Sequence, residues 1–180
     1  MYVSRAITRL VAAGALVAAS IGFVAAAPAG ADPVAVCNAG QGLVHASPGV
    51  TNTPHAQTVK LAAKLTDCTG GLKSGVVNAH FDRTGPITCA DVAAGGGTLT
   101  GTVAIKWNPK AKSAGTITAT LGAGGAVHVT GAITNGLGKG STFAADATAT
   151  PLFKPKGTPC TAANKAQYAE FSLTGPVTVG

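Results

Sequence analysis

An antiparallel all-β sandwich held by two disulfides is the fold class this sequence predicts, and three observations predict it. The stretch Thr98 to Leu121 alternates side-chain character with period two on both sides of a turn-like centre. Beyond residue 31 no segment shows the three-to-four-residue apolar period of an amphipathic helix, whereas alternating runs recur between Gly, Asn and Pro connections. The four cysteines, Cys37, Cys68, Cys89 and Cys160, all lie in that same portion.

The central stretch reads as a β-hairpin. In its first arm Leu99, Gly101, Val103, Ile105 and Trp107 share one face and Thr100, Thr102, Ala104 and Lys106 the other. In its second arm Ile117, Ala119 and Leu121 oppose Thr116, Thr118 and Thr120, and Asn108-Pro109-Lys110 breaks the chain between them. Trp107 shares parity with Val103 and Ile105, which makes it a core residue first and a candidate ligand-cleft aromatic second.

The first 31 residues stand apart from this fold. Arg5 and Arg9 precede an uninterrupted apolar run from Leu10 to Ala27, and Ala29-Gly30-Ala31 supplies small residues for cleavage before Asp32. This is the pattern of a Sec-type secretory signal. The expected plan is a signal peptide over 1–31, an irregular lead-in over 32–57 and the sandwich over 58–180, with no membrane span once the signal is removed. Without Arg5 and Arg9 the chain carries 11 basic against 6 acidic residues, a net charge of about +5.

The remaining elements follow in order. The lead-in is rich in Gly, Pro, Ala and Asn and carries one short strand at Gly42 to His45, anchored by Cys37. Strands are predicted over Thr58 to Asp67 and Lys73 to Asp82, with Thr69-Gly70-Gly71 turning the chain between them. Asp91 to Gly97 ends in consecutive glycines and reads as a flexible loop into the hairpin. Further strands cover Ala126 to Thr134, Ser141 to Thr150 and Gln167 to Val179, the last burying Phe171, Leu173 and Val177; Ala162 to Lys165 forms a helical turn. Seven to eight strands with short connections point to an immunoglobulin-like or related Greek-key sandwich.

Exported cysteines in even number are read as disulfides. Cys68 with Cys89 is the favoured pair, because a short segment separates two neighbouring strands there, which leaves Cys37 with Cys160. Closely spaced ligand pairs of the Cys-x-x-Cys kind are absent, so no structural zinc site is assigned.

Little in the chain points to catalysis. There is no Gly-x-Ser-x-Gly elbow, the thiols are expected to be oxidised, and no two acids after residue 31 are neighbours in sequence. No catalytic, metal-binding or cofactor residue is assigned and no cofactor is expected. His80 and Asp82 could offer two ligands with His128 a third, but the plain reading is a solvated surface pair. Lys106, Lys110 and Lys112 gather at the hairpin tip, a candidate surface contact for anionic cell-envelope components. Nucleic acid is not expected, because aromatics for base stacking are few.

The segment Leu65-Thr66-Asp67-Cys68-Thr69-Gly70-Gly71, with Ser74-Gly75-Val76, Cys89 and Val103-Ala104-Ile105-Lys106-Trp107-Asn108, resembles small secreted β-proteins of actinobacteria, a group with no assigned activity. The resemblance covers roughly Val59 to Leu121, implies a sandwich and supports pairing Cys68 with Cys89. The Ala, Gly, Thr and Val composition is also similar to that of the enediyne-binding apoproteins, immunoglobulin-like sandwiches with two disulfides. That likeness implies carriage of a small apolar ligand, although those proteins keep each cysteine pair close in sequence and are acidic.

The expected function is therefore an exported, non-enzymatic sandwich with a structural or interaction role at the envelope or outside the cell. The first rival is an apolar-ligand carrier with its cleft near Trp107. The second is a secreted hydrolase.

Overall fold

The computed structural model describes residues 33–82, 85–152 and 158–180, so the signal peptide predicted over 1–31 lies outside the described residues. Eight long strands form one antiparallel meander: β1 (Ala35–Val50), β2 (Thr58–Cys68), β3 (Ser74–Asp82), β4 (Thr98–Asn108), β5 (Ala111–Leu121), β6 (Ala126–Gly136), β7 (Thr142–Leu152) and β8 (Ala166–Leu173). Each pairs with the next, and β8 pairs with β1, so the sheet closes into a barrel. A short strand β9 (Val177–Val179) adds to the starts of β1 and β7.

The architecture is a closed barrel and not the expected sandwich. Both folds demand the same alternation of apolar and polar side chains, and they differ in whether the outer strands find each other. The residues that close the barrel are those read as an irregular lead-in. The expected short strand at Gly42 to His45 is in fact β1, 16 residues long and hydrogen-bonded along β2 on one side and β8 on the other. Its glycines and small side chains conceal a strand from any propensity argument, yet they suit a position flanked on both edges.

The other strands lie where the alternation places them. The central hairpin pairs Thr98 with Thr120 and Trp107 with Ala111, and buries Leu99, Val103, Ile105, Trp107, Ile117 and Ala119. The predicted last strand divides: β8 ends at Leu173, and Thr174-Gly175-Pro176 carries the chain into β9. Phe171 and Val177 are buried, while Leu173 is only half-buried. The helical turn expected at Ala162 to Lys165 is a series of bends, and the loop expected from Asp91 overlaps a one-and-a-half-turn helix α1 (Cys89–Ala94).

Tight closure rests on small inward residues. Gly101 faces the interior, and a Cβ there would overlap the carbonyl of His80 on β3. Gly75 lies beneath Trp107, where a Cβ would come within 2.8 Å of the indole ring. Outward positions mix Thr, Lys, His and Asn with some apolar side chains such as Leu43 and Val76 while inward ones are nearly all apolar, unlike the continuous apolar band of a barrel whose wall faces lipid. Among the described residues no helix is long and apolar enough to cross a membrane.

The disulfides join Cys37 to Cys68 and Cys89 to Cys160, so the pairing of Cys68 with Cys89 is overturned. The reason is register: β1 lies beside β2 and sets Cys37 directly opposite Cys68. Two formed disulfides fit an extracellular or otherwise oxidising compartment.

Candidate functional site

The barrel is filled at one end and hollow at the other. At the filled end, reached by the β4–β5 turn, Leu65, Ile105, Ile133, Phe143 and Trp107 meet inside the wall and are all at least 95% buried. The Trp107 indole Nε1 donates to Ser113 Oγ at 2.8 Å, and Ser113 donates in turn to the Leu137 carbonyl at 2.6 Å. The indole is thus a sealed and hydrogen-bonded plug.

At the opposite end the inward side chains shrink. Ala46 on β1, Ala149 on β7 and Ala169 on β8 occupy the interior, together with Val59 on β2 and Val127 on β6. They leave a cavity of about 490 Å³, within the size range of small-molecule sites. Its wall is almost wholly apolar. Gln57 reaches the lining and is buried, but its amide oxygen accepts from Gly49 N at 2.9 Å and its amide nitrogen donates to Gly49 O at 3.2 Å. The side chain has no unmet polar group to offer a ligand. No charged residue lines the cavity among the described residues.

Helix α1 lies over this cavity and contributes Cys89, Val92 and Ala93 to its wall. Thr88 and Asp91 start the helix with a capping box: Thr88 Oγ1 accepts from Asp91 N at 3.2 Å, and Asp91 Oδ2 accepts from Thr88 N at 2.8 Å. Gly95 ends it in the left-handed conformation. The segment is fastened to the rim by Cys89 N to Thr51 O, by Ile87 N to His55 O and by the Cys89–Cys160 disulfide. The disulfide therefore does a second job besides constraining the chain: it ties the cover of the cavity to the segment that leads into β8.

The residues singled out in the sequence fall elsewhere. Trp107, read as a core residue first and a candidate ligand-cleft aromatic second, is 4% exposed at the filled end and does not line the cavity. Lys106 and Lys112 face each other across β4 and β5 on the outer surface, and Lys110 sits exposed in the turn between them. His80 lies 3.5 Å from Asp82 on β3, whereas His128 on β6 bonds Asp146 on β7 at 2.6 Å. The structure thus separates His80 and His128 and gives each its own carboxylate, with all four side chains exposed. His45 stacks on Tyr168 with ring centroids 4.9 Å apart.

Sequence reasoning missed the cavity wall. Val59, Leu121 and Val127 carry the inward parity that alternation reveals, but nothing in alternation tells an inward side chain that meets a neighbour from one that meets a void. The usable signal was volume: inward positions in Ser141 to Thr150 and the following strand are alanines toward this end. No protein-family model matches the chain, and neither a curated protein nor a solved structure is significantly similar to it.

Proposed function

We propose that this is an exported, non-enzymatic barrel that carries a small apolar molecule in its hollow end. The observation that carries the reading is the cavity itself, about 490 Å³ lined by apolar side chains whose one buried amide, Gln57, is already satisfied. Such a wall favours uncharged, hydrogen-bond-poor ligands, because a polar group brought inside would lose water and find no partner. Among the described residues no charged group and no free thiol lines that wall, whose hydroxyls are those of Thr150 and Tyr168. The signal-like leader and the oxidised cysteines support a site of action outside the cytoplasm.

Titration with an uncharged naphthylamine fluorophore tests the reading, because its emission rises on entering an apolar site. Saturable enhancement, displaced by a long-chain alcohol and abolished in Ala149→Phe, is expected; the new ring fills the void from β7. Failure to saturate, or unchanged binding in a folded Ala149→Phe variant, would refute a ligand in this cavity. Mass spectrometry of solvent extracts from the purified secreted protein then identifies the native cargo.

A further inference from the structure

The filled end of the barrel carries the lysines. On its outer surface, register aligns Lys64 on β2, Val76 on β3, Lys106 on β4 and Lys112 on β5 in one row around the wall. Lys73 enters at the start of β3, Lys110 sits in the β4–β5 turn and Lys139 in the β6–β7 turn, all at this same end and all exposed. Among the described residues the ion pairs are His80–Asp82 and His128–Asp146, so none of these lysines is paired with a carboxylate. Asp67, the acidic side chain at this end among the described residues, accepts from Asn38 Nδ2 at 3.1 Å.

Placing Lys106 directly opposite Lys112 costs stability, since like charges face each other across neighbouring strands. An anion that meets both would relieve that cost. We infer that the filled end docks on an anionic lipid bilayer surface. A plane is favoured over a thread-like polymer because the lysines come from three separate turns and strand ends around one end face. A single polyanion strand would meet a few of them, whereas a layer of phosphate headgroups meets the whole rim. Val76, 47% exposed between Lys64 and Lys106, adds an apolar contact at the headgroup level. Docked this way, the cavity end faces away from the bilayer. The inference rests on charge placement alone and stands or falls independently of the cavity's cargo.

Co-sedimentation of the ligand-free protein with phosphatidylcholine vesicles, with and without phosphatidylglycerol, is the test. Binding is expected only with phosphatidylglycerol, and it should vanish between about 0.1 M and 1 M salt as the screening length falls from about 10 Å to 3 Å. Each lysine near an anionic surface is worth about fivefold in affinity, so Lys106→Gln with Lys112→Gln should weaken binding roughly 25-fold. Lys60→Gln with Lys165→Gln removes the same charge away from the filled end and should change it far less. Equal weakening by both pairs would mean that net charge alone acts, and would overturn the inference. So would binding without phosphatidylglycerol, or capture of soluble polyphosphate with no capture of vesicles.

Discussion

The two ends of this barrel are built from the same strands and reach opposite solutions. At one end large side chains close the interior: Trp107, Ile105, Ile133, Phe143 and Leu65 interlock, and the indole N–H is satisfied by Ser113. At the other end Ala46, Ala149 and Ala169, with Val59, Val127, Leu99 and Leu121, leave a gap that is roofed by α1 instead of filled. An eight-stranded barrel is just wide enough either to be packed solid or to hold one small ligand. This chain is packed solid at one end and leaves a cavity of ligand size at the other. Side-chain volume, and not strand number, decides which end is left hollow.

The comparison is broken most directly at Trp107. Trp107→Ala removes a fully packed ring and the hydrogen bond that Ser113 Oγ accepts from it, and it should lower stability by about 3–5 kcal/mol in denaturant unfolding. Because the hollow end does not contain the indole, fluorophore affinity of the folded variant should stay within about twofold, as expected for independent sites. A larger loss of affinity would show that the two ends share one interior and that the plug shapes the cavity.

The disulfides sharpen the same contrast. They span 31 and 71 residues and should each contribute about 4 kcal/mol on the chain-entropy estimate. Stability alone cannot tell them apart. Ligand kinetics can, since Cys37–Cys68 staples β1 to β2 at the filled end and Cys89–Cys160 ties down the roof. Replacing Cys89 and Cys160 by alanine should speed fluorophore release in stopped-flow measurements, whereas replacing Cys37 and Cys68 should leave the release rate of the folded protein unchanged. Equal effects would show that the roof is held by its backbone bonds to Thr51 and His55 and not by the disulfide.

How much of this was legible beforehand follows from the same physics. Period-two alternation located β2 through β7 to within about two residues and named the inner face of β4 and β5 residue by residue, because half-buried pleated strands must alternate. It could not locate β1, where Gly40, Gly42 and Pro48 mask a strand whose stability comes from neighbours on both edges. Without β1 the alternation is equally that of a sandwich, and the sequential proximity of Cys68 and Cys89 outweighs the register that sets Cys37 against Cys68. The cavity was beyond reach for a related reason. An inward Val127 reads alike whether a phenylalanine or empty space faces it, and the six-residue α1 is too short for any helical period to emerge from Cys89 to Ala94. The lysines at the hairpin tip were visible as a cluster, but Lys64 joins them only once β2 and β3 are in register.

The smallest expected effect tests the charged end by separating stability from binding. In Lys106→Glu the residue facing Lys112 changes from a like to an opposite charge, on an exposed outward-facing row where solvent screens both. The exchange should raise stability by only about 0.2–1 kcal/mol, and the gain should shrink as salt is added. The same substitution should weaken capture by phosphatidylglycerol vesicles, because it removes one cation and neutralises its neighbour. A variant that folds more tightly yet binds worse cannot owe its loss to unfolding. If thermal unfolding instead shows a less stable protein, the Lys106 stem was contributing packing against Val76 on the adjacent strand, and the row is a structural feature of the wall.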